Sequence, residues 1–187
     1  TEYDKYLEVT ANAYNEALAG IPYDFVDFFA NKVIAEKSDI VYRFTRSKIE
    51  YHLENGHKVF FISGSPEFLV KRMAEKYGVT DFKGTEFEVS DSKFTGKYKP
   101  MWDAVDKKRV MLEFKEKYDL DFSKSFAYGD TTGDISMLEM VGNPTAINPA
   151  KTLLQYIQNN ENLREKINII VERKDVIYSI PSDVKLV

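Results

Sequence analysis

Ten residues, Phe126-Ala127-Tyr128-Gly129-Asp130-Thr131-Thr132-Gly133-Asp134-Ile135, restrict the fold more than any other stretch of the chain. An apolar run meets Gly129, two carboxylates follow four residues apart, and a helix-like run begins, Ile135-Ser136-Met137-Leu138-Glu139-Met140. The pattern predicts a strand, a tight turn and a helix start. In an open parallel sheet such turns lie along the carboxyl edges of the strands, where ligands bind, and a carboxylate there can hold a hard cation such as Mg²⁺ through oxygen. The plain alternative makes Asp130 a helix N-cap and Asp134 a first-turn acid favoured by the helix dipole. The rest of the chain has to decide between them.

Upstream, apolar residues at helical spacing (Tyr6, Val9, Ala13, Leu18) predict a helix over 2–18 that stops at Gly20. Ile21-Pro22-Tyr23-Asp24 leads into a second helix through Phe25, Val26, Phe29, Val33 and Ile34, and a third is expected over 40–53, closed by Asn55-Gly56. The short run over 57–62 is rich in strand formers and bounded by Gly56 and Ser63-Gly64-Ser65-Pro66, which fits a buried parallel strand. Pro66 suits the first position of a helix that ends at Gly78. A strand feeding a helix through Ser-Gly-Ser offers hydroxyls and backbone N–H groups to an anion, although a capping turn looks the same. Residues 82–89 and 93–98 read as a hairpin or flap edge joined by Ser90-Asp91-Ser92. A helix follows over 103–118, with Lys107, Lys108 and Arg109 in its first turns, then a loop over 119–123 and the signature strand from Ser125. Beyond the signature helix, Gly142-Asn143-Pro144 is expected to be a break, 145–147 a strand, 150–158 a helix, and 167–171 with 176–180 an edge hairpin. The alternation over 57–158 argues for an α/β domain with a parallel sheet.

Composition narrows the partners. With 26 basic against 30 acidic residues and a net charge of -4, no cluster of Lys or Arg outweighs its neighbouring acids, so a nucleic-acid surface is not expected. The absence of Cys excludes disulfides and thiolate metal sites and agrees with a cytoplasmic setting. No apolar stretch approaches a membrane span, and no membrane partner is expected. His52 and His57 lie five apart with no third ligand in view and read as structural. Trp102 beside Pro100 reads as cover for the core or the flap.

Three complementary pieces stand in one order: a Ser-Gly turn that can donate to a phosphate, a Lys ahead of the signature strand, and the acidic pair. Gly56-His57, Phe61-Ile62-Ser63-Gly64-Ser65-Pro66, Gly84-Thr85-Glu86 with a later Thr95-Gly96, and Ala127-Tyr128-Gly129-Asp130 with Asp134 together resemble the haloacid dehalogenase (HAD) superfamily in its phosphoserine-phosphatase-like branch. The match covers about residues 57–150. The resemblance implies a HAD-like Rossmannoid α/β fold, a parallel sheet with helices on both faces, and a partial helical cap. The cap remnant is expected over 1–38 and the core over 39–187. It also implies that Ser63 and the Gly64 amide bind phosphate, that Lys108 stabilises the phosphoryl oxygens, and that Asp130 and Asp134 serve the metal, Asp134 through a metal-bound water or through the Lys. Lys108 is preferred to Lys107 because family members carry a Leu four residues later, as at Leu112. Gly133 stands where several phosphoserine phosphatases carry Asn.

The departure is at the other end. The family's first motif, Asp-x-Asp after an apolar strand, supplies the nucleophile and the general acid/base, and no such stretch precedes Ser63; Glu2-Tyr3-Asp4 follows no strand. The missing strand is the family's central one, and its absence would leave backbone groups unpaired at about 1–3 kcal/mol each. The expectation is therefore an N-terminally shortened piece, inactive alone, of a Mg²⁺-dependent phosphomonoester hydrolase. That enzyme would act on a small phosphorylated metabolite through an aspartyl-phosphate. Two other readings stay open: a non-catalytic relative that binds a phosphorylated ligand or a partner, and a receiver-like domain that accepts a phosphoryl group.

Overall fold

The computed structural model describes residues 2–185, which gather into two compact units. Among the described residues, the first holds 2–40 and Phe60–Met101, the second Val41–Val59 and 102–185. The flap and the Ser63 strand gather with the N-terminal helices rather than with the remainder.

In the first unit, helices α1 (Glu2–Leu18) and α2 (Tyr23–Lys37) precede strand β1 (Phe60–Pro66); a third helix, α3 (Arg43–Glu54), belongs to the second unit. Helix α4 (Glu67–Tyr77) then crosses to β2 (Asp81–Ser90), and β3 (Lys93–Lys99) returns. The order is β1-β2-β3, with β1 parallel to β2 and β2 antiparallel to β3. Val70 and Ala74 bury the inner face of α4. The connecting turn puts Asp91 and Ser92 at φ 48° and 61°, the left-handed pair that matches the twist of a two-residue hairpin. Helix α1 is fixed to β3 by Asn15 Nδ2, which donates to the Gly96 carbonyl at 2.5 Å, and α2 to α4 by an ion pair between Asp27 and Arg72.

In the second unit, α5 (Ala104–Tyr118) leads to β4 (Phe126–Gly129). A single 3₁₀ turn (Thr132–Asp134) runs into α6 (Ile135–Met140), followed by β5 (Asn143–Ile147), α7 (Lys151–Asn159), α8 (Glu161–Lys166), β6 (Asn168–Arg173) and β7 (Val176–Ile180). The order is β4-β5-β6-β7, parallel up to the antiparallel β7. Leu138, Val110, Leu153, Ile157 and Ile169 form the fully buried core. The expected break at Asn143-Pro144 is instead the start of β5, where Pro144 pairs with Ala127: one ladder donor is lost near the strand's entrance and the register survives. Helix α8 was not expected; Asn160 starts it by accepting from the Leu163 amide. Strand β1 begins at Phe60 rather than at His57 and runs through the Ser63 turn, so Pro66 is the residue before α4 rather than its first. Both units are α/β layers of helix and sheet, parallel in β1-β2 and in β4-β5-β6. No helix among the described residues is long and apolar enough to cross a membrane.

Candidate active site

Strand β4 delivers Gly129 and Asp130 to the turn ahead of α6, and Asp134 folds back onto that turn. Asp134 Oδ2 accepts from the amides of Asp130 (2.9 Å) and Thr131 (3.0 Å), and Thr131 and Asp134 form a capping box. The cap is therefore Thr131, and the Asp130 carboxylate is released from that structural duty. The close fold-back requires Gly129, since a Cβ there would lie 2.5 Å from Asp134 Cβ. Gly133 is required as well: a Cβ there would meet the Trp102 carbonyl at 2.3 Å.

The other Asp134 oxygen, Oδ1, lies 2.5 Å from Lys107 Nζ, and both side chains are buried. Lys107 reaches it because Lys107, Val110 and Phe114 share the inward face of α5. The lysine paired with Asp134 is thus Lys107, the second of the two the sequence offered. Lys108 sits a hundred degrees round the helix and is exposed, and Leu112, whose spacing had favoured it, is 47% exposed. Burial works to raise the Asp134 carboxyl, but the Lys107 ammonium and the two amides outweigh it and hold the group below the usual carboxylate range. At Asp130 the balance is opposite. Desolvation by the surrounding atoms, then the Asp134 charge, push its carboxyl up, with Lys107 pulling the other way.

Ser63 and Gly64 lie in the first unit. Ser63 is half-buried, and its Oγ accepts from the Ser65 amide at 3.1 Å. Thr85, 1% exposed, donates from Oγ1 to the Gly64 carbonyl at 2.8 Å. The second unit therefore brings Lys107, Asp130 and Asp134 together, while Ser63 and Gly64 form a separate turn within the first. The side chains of Glu2, Tyr3 and Asp4, set aside as a nucleophile pair, lie outside the described residues.

As a metal site the second unit is partial. Among the described residues no group of three or more His, Cys, Asp or Glu could hold a metal ion. Asp130 offers an exposed carboxylate of the hard oxygen type that suits Mg²⁺. Both oxygens of Asp134 are engaged, so holding the lysine is the role its geometry fits.

Sequence reasoning missed the Thr131 cap, although Thr131-Thr132-Gly133-Asp134 carries the capping-box spacing. It also missed a side-chain chain behind β4. His52 Nδ1 lies 2.9 Å from His57 Nδ1, and His52 Nε2 lies 2.9 Å from Tyr128 Oη. Burial holds the His52 imidazole below its usual range, and burial pushes the Tyr128 phenol up to about 12.

A family model described as haloacid dehalogenase-like hydrolase matches residues 4–139. Phosphoserine phosphatase SerB1 of Mycobacterium tuberculosis is 28% identical over 157 residues, covering 83% of this chain and 49% of that protein. A histidinol-phosphatase of Neisseria meningitidis is 27% identical over 128 residues, covering 66% and 56%. Among solved structures, a substrate-bound phosphoserine phosphatase superposes with a TM-score of 0.64 at 19% identity, covering 90% of this chain and 73% of that one. The chain spans about half the length of the curated relatives it matches.

Proposed function

This chain belongs to the haloacid dehalogenase-like hydrolases, in their phosphoserine-phosphatase-like branch, and from that membership we propose that it forms part of a Mg²⁺-dependent phosphatase of small phosphate monoesters. The observation that carries the proposal is the buried Lys107–Asp134 pair beside a carboxylate, Asp130, that the fold does not use as a cap. Burying an ion pair is a poor way to gain stability, and a buried pair at the mouth of a parallel strand points to a working group.

In this reading the turn of the first unit, with Ser63 Oγ and the Gly64 amide, is a phosphate-donating element, and in the second unit Lys107 supplies positive charge for phosphoryl oxygens. Asp134 holds Lys107 extended and charged. Asp130 would hold the Mg²⁺, which when bound would neutralise phosphoryl charge. In this reading the nucleophile is the Asp of the family's first motif, which no stretch ahead of Ser63 matches. Its carboxylate oxygen bonds to phosphorus as the ester P–O bond breaks, the departing oxygen takes a proton from a neighbouring acid, and water then cleaves the aspartyl-phosphate to orthophosphate. That the solved relatives include phosphoserine phosphatases and a curated relative is a histidinol-phosphatase supports the monoester class and leaves the alcohol open.

The test is phosphate release from a panel of small monoesters with and without Mg²⁺, by the natural full-length protein and by the 187-residue chain. Activity in the former and none in the latter is expected. Equal turnover by both would overturn the account of the nucleophile, and none in either would favour a ligand-binding relative.

A further inference from the structure

The Ser63 turn is a bulge in a parallel ladder, and a second set of side chains holds it. Ile62 pairs with Lys83 and Pro66 with Thr85, so Ser63, Gly64 and Ser65 stand opposite the single residue Gly84. Such a bulge re-aims side chains at the cost of ladder hydrogen bonds, and each backbone group it releases must find another partner. Here two of them do so through side chains of the same unit. The Gly84 amide donates to Glu67 Oε2 at 3.1 Å, and the Gly64 carbonyl accepts from Thr85 Oγ1 at 2.8 Å.

We infer that Thr85 is a positioning residue for phosphate binding, which sets the Gly64–Ser65 peptide so that Ser63 presents its hydroxyl proton outward; the inference rests on the phosphate role proposed above for Ser63. The peptide plane is held at both ends. Its oxygen is taken by Thr85, and its N–H donates to Ser63 Oγ at 3.1 Å. Because Ser63 Oγ accepts that bond, its own proton is left to donate to a bound oxyanion. Gly84 makes the arrangement tight. A Cβ there would sit 2.6 Å from Glu67 Cα and 2.9 Å from the Ser65 carbonyl, so the bulge is packed against the strand opposite without slack. At a strand position only 1% exposed, packing alone would be met at least as well by Val, which has the same shape and no group to satisfy. The hydroxyl's partner is the turn itself.

The experiment compares Thr85→Val and Thr85→Ser in the natural full-length protein. It reads amide hydrogen exchange at residues 63–65 and the steady-state hydrolysis of p-nitrophenyl phosphate. Thr85→Val is expected to speed exchange at the Ser65 amide about tenfold and to raise KM about tenfold with kcat nearly unchanged, the size of one ordinary hydrogen bond lost from binding. Thr85→Ser, which keeps the hydroxyl, is expected to restore both. A purely structural role would lower the active fraction and hence apparent kcat, leaving KM alone. Unchanged exchange in Thr85→Val, or equal damage by Thr85→Ser, would overturn the inference. If the wild-type protein hydrolyses no phosphomonoester, the functional reading fails by itself, and the exchange comparison still decides whether Thr85 holds the turn.

Discussion

Lys107 shows what a single side chain can decide. It is buried against Asp134, whereas Lys108, its neighbour in sequence, is exposed. Removing one partner of a buried pair leaves the other charge without compensation, so Lys107→Met is expected to cost about 3–5 kcal/mol of stability, and Lys108→Ala to stay within about 0.5 kcal/mol. Urea denaturation of both variants measures the difference, and similar midpoints would contradict the placement. Which of the two lysines faces inward was legible in the sequence. The 107, 110, 114 spacing of Lys, Val and Phe marks an inward face on α5, whereas Leu112, the residue that had favoured Lys108, lies on the exposed side. Asp130 and Asp134 were visible as a pair at a strand end. That Thr131 takes the cap, freeing one carboxylate, depends on a fold-back that Gly129 allows and no spacing rule ranks above the alternatives.

At the level of elements, hairpins and helices were readable where their punctuation was strong, as at Gly78 and at Ser90-Asp91-Ser92. The start of β5 was not, because Pro144 marks a turn in most contexts and here sits inside a register set by the neighbouring strand. Two predictions belong here. The hairpin between β2 and β3 places two non-glycine residues in the left-handed region, so Asp91→Asn with Ser92→Gly is expected to stabilise the chain by about 0.5–1 kcal/mol, read as a higher Tm. The second concerns α3 and β4, joined by His52 and Tyr128. Burial, then His57 and Lys48, lower the folded pKa of His52 from its ordinary 6.5, while Tyr51, Tyr128 and Phe126 complete its surroundings. A proton therefore binds the unfolded chain more tightly. The stability this histidine contributes is full above about pH 6.5 and is lost as pH falls below it toward the folded value. Chemical denaturation at pH 7.5 and 5.5 is expected to show this loss, and His52→Phe to reduce it; a pH dependence unaltered by the substitution would contradict the assignment.

For the molecule as a whole, each sheet ends in a parallel strand paired on one side only among the described residues, β1 with β2 and β4 with β5. The superfamily was legible from ordered short motifs spread over the chain, while the gathering of residues 60–101 with the first two helices was not, because it depends on long-range contacts of α2 with α4 and of α1 with β3. The most direct measurement is kcat/KM for Mg²⁺-dependent phosphomonoester hydrolysis by the natural full-length protein carrying Lys107→Ala or Lys108→Ala. A loss of about a hundredfold or more in Lys107→Ala with Lys108→Ala within about twofold of wild type is the expected result, in line with removing one preorganised charge from the transition state. Full activity in Lys107→Ala, or its loss in Lys108→Ala alone, would contradict the account.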